Sequence, residues 1–252
     1  MPAERKLSVN ADDFGQSPGV NRGIIRAHGQ GIVTSASLMV RWPAAADAAA
    51  YARNHPGLGL GLHIDLGEWS YHDGEWFPLY EVVPLDDAGA VAAEVARQLA
   101  AFRDLTGRDP THIDSHQHAH REEPVRSAAV EMARDIGIPL RHSSPDIRYC
   151  GEFYGQGSHG TPLPGAVSVE RLIAILAALP PGITELGCHP GETEDLATLY
   201  RRERSEEVRT LCDPRVRGAI TEFGIELCSF ASATCCLGNE AASGRDRASA
   251  FP

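Results

Sequence analysis

Residues 6–18 read Lys6-Leu7-Ser8-Val9-Asn10-Ala11-Asp12-Asp13-Phe14-Gly15-Gln16-Ser17-Pro18, and they set the plan of the whole chain. Leu7, Val9 and Ala11 alternate with Ser8, Asn10 and Asp12, the two-residue period of a strand with one apolar face. Ser17 then offers an N-cap, and Pro18 fills the first helical position, where its missing N–H costs nothing. The helix is expected to run to about His28 and to stop at Gly29 and Gly31. A strand followed at once by a helix is the unit from which parallel sheets are built.

The unit recurs. Strand-like segments at 32–40, 58–65, 111–116, 138–143, 183–189 and 225–230 bring the count to seven. Helix-like segments cover 43–54, 91–105, 124–136 and 169–179, then charge-rich turns at 195–212 and a last helix capped by Asp213-Pro214. This alternation predicts a parallel (β/α) barrel-like α/β fold of about seven strands, related to the TIM barrel. An open doubly wound sheet has the same pattern, because sequence does not prove closure. No internal repeat is present. Residues 1–232 are expected to form a single domain. The polar Gly/Ser/Ala-rich stretch 233–252 has no periodicity and is expected to be a disordered tail.

A chain of 252 residues with 42% hydrophobic and 23% charged residues can bury a core without disulfides or a structural metal. The net charge of −11, with no basic block, argues against nucleic acid and against an anionic membrane surface. No run approaches the ~18 apolar residues of a membrane span. Residues 1–6 are polar and show no secretory h-region. The six cysteines form no C-x-x-C pair, which fits reduced thiols in a cytoplasmic protein. A homodimer is the default partner, being the commonest oligomer.

In parallel α/β folds, chemistry collects at the C-terminal ends of strands. Those ends hold Asp12 and Asp13, then His63 and Asp65, then Asp114, His116, His118 and His120, and finally His189-Pro190-Gly191. Two imidazoles and a carboxylate bind a divalent ion and leave positions open for water and substrate. A neighbouring carboxylate can take a proton from that water, and a histidine opposite can protonate a leaving amine. Each residue has a plainer reading: an Asp-Asp pair caps helices, and His189 before Pro-Gly can shape a turn. The run 112–120 carries His112, Asp114, His116, His118 and His120 at every second position. If extended, all five would share one face, which no barrel interior buries without strong reason. The strand is therefore expected to end near Asp114, with the histidines turning over the rim. Spacing does not decide which of them are ligands.

The motifs Asn10-Ala11-Asp12-Asp13-Phe14-Gly15, Ser17-Pro18-Gly19-Val20-Asn21, Gly31-Ile32-Val33-Thr34-Ser35, Gly61-Leu62-His63, residues 111–120 (THIDSHQHAH) and Cys188-His189-Pro190-Gly191 are specific as an ordered set. Together, across about residues 7–230, they resemble the YdjC/ChbG/HpnK-type carbohydrate deacetylases. The resemblance implies a barrel-like fold, one divalent ion, and hydrolysis of the acetyl group from an N-acetylated sugar. It implies Asp13, His63 and His116 as metal ligands, Asp12 as general base and His189 as general acid or leaving-group stabiliser. Asp114 and His118 are expected behind the ligands. Zinc fits the ligand types, with magnesium the alternative because the family is often associated with it. The stretch Ile64-Asp65-Leu66-Gly67-Glu68-Trp69 departs from the chito-oligosaccharide members, which bears on the substrate more than on the reaction.

Residues 69–80 (WSYHDGEWFPLY) concentrate aromatics after a strand carrying an expected ligand. Trp69, Tyr71 and Trp76 are candidate sugar-stacking residues, since flat aromatic faces pack on the apolar faces of sugar rings. A hairpin with its own small core, or a dimer contact, is the plainer reading. The glycine-rich stretch 149–160 is a candidate second wall. The rival functions are a phosphoesterase on the same scaffold, which would use two metals and bridging carboxylates, and a non-catalytic sugar-binding module.

Overall fold

The computed structural model describes residues 4–232, apart from 193, 194, 197 and 199. The opening strand is β1, Arg5–Phe14, and its helix is α1, Pro18–Gln30, where the Ser17 hydroxyl accepts from the Val20 N–H. There follow β2 (Ser35–Leu38), α2 (Ala45–Asn54), β3 (Gly59–Ile64), β4 (Gly67–His72), β5 (Glu75–Glu81), α3 (Ala88–Thr106) and β6 (Ile113–Ser115). Then come α4 (Val125–Ile136), β7 (Ile147–Cys150), α5 (Val169–Ala177), β8 (Gly182–Cys188), α6 (Arg201–Leu211), α7 (Pro214–Glu222) and β9 (Ile225–Leu227).

Seven strands form one parallel sheet in the order β6-β3-β2-β1-β8-β7, with β9 paired to Arg5–Leu7 of β1. The sheet curls into a half-barrel, so the expected barrel-like architecture of about seven strands is the one adopted. One member differs from expectation. The segment 138–143 contributes only a single bridge, Leu140 to Ile113, and β7 takes the edge instead. The physical reason is local: Pro139 has no N–H to give a ladder, and His142 turns the chain at φ 64°. Residues 67–81 form an antiparallel hairpin outside the main sheet. The expected tail, 233–252, lies outside the described residues.

The strand alternation sorts two kinds of interior. Leu7, Val9 and Ala11 are fully buried in one apolar cluster with Val20, Ile24 and Ala27 of α1. The opposite face buries Ser8, Asn10, Asp12, Ser35, Ser37, His112, Asp114 and Glu185. Buried polar groups are tolerated when they bond one another. Here Ser8 meets Ser35 at 3.2 Å, and the Asn10 amide donates to Asp12, Ser37 and Asp114 at 2.9–3.1 Å. The half-barrel interior is thus a hydrogen-bonded network, and the network runs upward into the site. No helix of the described residues is long and apolar enough to cross a membrane.

Candidate active site

Adjacent residues on a regular strand point to opposite faces, so Asp12 and Asp13 should not share a pocket. They do, because β1 ends in a bulge. Ala11 pairs with Ala36 and Phe14 with Leu38, so three steps on β1 match two on β2. Asp13 absorbs the extra residue at φ 67°, a left-handed conformation that aspartate tolerates better than most residues. Both carboxylates line one cavity as a result.

Asp13 Oδ1 lies 3.2 Å from His63 Nε2 and 3.0 Å from His116 Nδ1. His63 comes from the end of β3. His116 opens the turn His116–Arg121 that follows β6. The other His63 nitrogen, Nδ1, bonds Asp114 Oδ1 at 2.7 Å, which fixes the ring. His63 Nε2 and His116 Nε2 are buried and make no hydrogen bond. Glu68 Oε2 approaches His116 Nε2 at 3.6 Å. Burial works against charge on both rings, yet the carboxylates outweigh it. Asp114 and Asp13 raise His63 to about 10, and Asp13 with Glu68 raises His116 to about 9. A carboxylate oxygen facing two imidazoles, each of which keeps an unpaired Nε2, fits a divalent cation, and Asp13, His63 and His116 offer one ligand atom each within 4.8 Å of one another.

Asp12 faces the other way along the rim. Arg141, fully buried, grips it with a two-pronged bond at 2.6 and 2.7 Å. The same guanidinium reaches Asp114 at 2.9 Å and Glu185 at 2.6 Å. Burial would raise the Asp12 carboxyl, and Arg141 more than offsets it, so Asp12 titrates below its ordinary value. Glu185 is pushed up to about 7, because burial and its carboxylate neighbours exceed what Arg141 supplies. Asp12, His63 and Asp114 also cluster closely, but Arg141 already occupies that side as the counter-charge. A second guanidinium, Arg204, sits 2.5 Å from Asp13 Oδ2 and leaves Oδ1 facing the histidines.

His189 follows the last residue of β8, 3.7 Å from Asp12 Oδ2. Its backbone N–H donates to Glu207 Oε2 at 2.5 Å, and Glu207 in turn accepts from the Tyr200 hydroxyl at 2.7 Å. The loop behind it packs where only glycine fits: a Cβ on Gly23 would come within 2.4 Å of Gly191 Cα, and one on Gly19 within 1.7 Å of Glu192 O. Burial holds His189 down at about 4 despite Asp12 and Asp13, so the ring is neutral at neutral pH.

These groups line one cavity of about 1010 Å³, at the upper end of small-molecule clefts. The hairpin β4–β5 forms one wall. Gln117 clamps it by a bond from its amide to Trp69 O and another from Trp69 N–H, at 2.8 and 2.9 Å. Asp65, expected at a strand end, is a tie: it accepts from Tyr80, Trp42 and Arg41 at 2.8–3.1 Å. Trp69, Tyr71 and Trp76 all line the cavity, and Trp76 is 56% exposed. Tyr71 stacks on His159 at 3.9 Å, so the hairpin meets the glycine-rich stretch, which supplies the facing wall.

Asp12, Asp13, His63, His116 and His189 therefore converge, with Asp114 directly behind His63. His118 is placed differently from Asp114: its ring meets His120, His142 and Tyr149. Two guanidiniums escaped the sequence reading. Arg141 lies inside the strand-like segment 138–143, two positions before its end, so the rule that singled out the other strand ends passes it by. Arg204 sits among the charges of residues 201–209 and carries no mark either.

A half-barrel of parallel strands with carboxylates and imidazoles gathered over the strand ends, inside one deep pocket, is the architecture of a barrel-like α/β enzyme. The chain belongs to the family of YdjC-like proteins, whose family model matches residues 6–222. It is 34% identical to the carbohydrate deacetylase of Geobacillus stearothermophilus over 90% of this chain and 97% of that one. It is 32% identical to the chitooligosaccharide deacetylase of Serratia marcescens, over 90% and 98% of the two chains. Among solved structures, a protein of Enterococcus faecalis V583 proposed to cleave cellobiose-phosphate superposes with a TM-score of 0.72 at 27% identity, covering 91% of this chain and 99% of that one.

Proposed function

We propose that this chain hydrolyses the acetyl group from an N-acetylated sugar, using a divalent cation held by Asp13, His63 and His116. The observation that carries the reading is the division of labour at the β1 bulge. Asp13 Oδ1 meets both His63 and His116, each of which keeps an unpaired Nε2, while Asp12, one residue away, has both of its oxygens bound by Arg141. The deacetylase names of the two curated relatives supply the acyl group and the sugar. A cation at the three ligands would polarise the acetamide carbonyl and make the attacking water more acidic. Two imidazoles and a carboxylate suit a zinc-class ion better than magnesium.

The chain's own residues handle the proton. Asp12, fixed by two bonds from Arg141, is the base that takes it from water. His189 stands neutral at rest, so the proton it gives to the leaving amine is the one Asp12 has removed, passed across 3.7 Å. Water thus supplies hydroxyl to the acyl carbon and a proton to the nitrogen, giving acetic acid and the amine, which leave as acetate and ammonium once the acid's proton passes to the amine. Glu207 holds the His189 backbone in place. Trp69, Tyr71 and Trp76 offer stacking surfaces for the sugar, and the cavity has room for more than its acetamide.

The test is acetate release from N-acetylglucosamine, its short β-linked oligomers and an acetylated amino-sugar conjugate, with chelator and metal add-back. Chelator-sensitive release is expected, and Asp12→Asn should lower turnover by roughly 10²–10⁴-fold while retaining the metal. An Asp12→Asn enzyme near the wild-type rate would show that the base is another group.

A further inference from the structure

The catalytic rim uses His63, His116 and His189. Three other histidines meet on the adjoining wall. After His116 the chain reverses through Gln117 and His118, at φ 48° and 56°, and this turn carries the His118 and His120 rings toward the segment behind Leu140. His142 enters from that segment at φ 64°. The three rings form a nearly even triangle, with centroids 6.0 Å apart for His118 and His120, 5.7 Å for His120 and His142, and 5.2 Å for His118 and His142. One ring nitrogen of each lies within 4.8 Å of the other two.

Two of these nitrogens are buried with nothing to bond. His120 is 2% exposed; its Nδ1 is held by Ser115 Oγ at 2.7 Å, and its Nε2 has no partner. His118 Nδ1 is likewise unpartnered. The Ser115 hydroxyl also accepts from the His120 N–H at 2.9 Å, so the ring is oriented from behind in the way metal-binding imidazoles are.

We propose that His118, His120 and His142 form a second metal site, which binds one zinc-class divalent ion through three imidazoles. Neutral imidazole is a ligand such ions favour, and three of them leave a fourth position for water. Zinc–nitrogen bonds of about 2.0–2.1 Å set tetrahedral ligand atoms roughly 3.3 Å apart, so the rings need only rotate inward. His142 is exposed and lines the cavity, which gives it room to move and turns the open position toward the substrate. Two guanidiniums act on the cluster, Arg121 and Arg141. Arg141 is offset by its bonds to Asp12, Asp114 and Glu185. The ion would staple the turn that carries His116 and Gln117 to the segment that carries Arg141. No carboxylate belongs to this trio, so it is not half of a bridged two-metal centre.

The experiment loads the full chain with Co2+ alone, removes free ion by gel filtration, and measures cobalt per chain by mass spectrometry beside the visible absorption spectrum. Asp13→Asn, which keeps the left-handed turn accessible, isolates the second site. That variant is expected to retain one cobalt with a nitrogen-ligand spectrum, and to lose it when His142→Ala is added. His142 is exposed, so the substitution brings the strain of alanine at φ 64° but removes no core side chain, and circular dichroism checks the fold. Wild-type protein that holds one cobalt, with none left in Asp13→Asn and one still bound in His142→Ala, would overturn the proposal. Loss of both ions on Asp13→Asn alone from a chain that held two would also overturn it, because it would show a linked two-metal centre.

Discussion

Two groups of histidines lie side by side at the rim and are tuned in opposite directions. His63 and His116 sit among Asp13, Asp114 and Glu68, and they are raised to about 10 and 9. His118 and His120, two and four residues beyond His116, are lowered to about 3 and 4, by burial first and with Arg141 adding to it. Residue type and depth are alike; the neighbours differ. Arg141 is the divider, because one guanidinium neutralises carboxylates on the first side and presents a positive charge to the second. A rim can therefore hold cationic and neutral imidazoles side by side without any change of side chain.

The largest effect should come from removing the divider. Arg141→Leu leaves Asp12, Asp114 and Glu185 buried without their counter-charge. It should cost about 3–5 kcal/mol in urea denaturation, the usual penalty for breaking a buried ionic network. An unchanged midpoint would mean the two sides are independent of Arg141.

Next in size is the pH response of the metal-free protein. His63 and His116 titrate above their unfolded value near 6.5, so the stability they add is full below that value and is lost as pH rises through about 9 to 10. His112, His118, His120 and His189 titrate at about 4, 3, 4 and 4, so folding keeps them neutral. Stability should fall as pH drops from 6.5 toward 4. Melting scans should show a maximum between these limits, with about 2–4 °C lost for each kcal/mol. A melting temperature flat from pH 4 to 10 would sink the contrast.

Proton release sharpens it further. At pH 7, metal binding at Asp13, His63 and His116 should release about two protons, since both rings must become neutral ligands. Binding at the His118 trio should release almost none. Calorimetry in buffers of different ionisation enthalpy, on Asp13→Asn and on His142→Ala, reads the two values separately. Equal release from both would erase the distinction.

The smallest effect lies outside both groups. Trp76→Ala removes an exposed aromatic from the hairpin and should raise KM for an oligomeric substrate about five-fold, the worth of roughly one stacking contact, with kcat nearly kept. A pure kcat loss would move Trp76 from sugar binding to the ordering of the hairpin against His159.

Much of this arrangement is legible in the chain itself. The alternation of residues 6–12 and the Ser17-Pro18 start fix β1 and α1 because both signals are local: a two-residue period and a cap. Strand ends then nominate Asp12, Asp13, His63, Asp114, His116 and His189, since parallel βα units place those ends on one rim. The run at 111–120 breaks where burial of five polar groups would be too costly, and β6 does stop at Ser115. What sequence could not carry is anything set by a partner remote in the chain. Period two puts Asp13 on the wrong face; only the bulge, forced by pairing with β2, brings it beside Asp12. Arg141 meets Asp12 across 129 positions, and Arg204 meets Asp13 across 191. The residues' chemistry was written in order along the chain, but their charges were decided by distance and burial, which exist only once the half-barrel has closed around them.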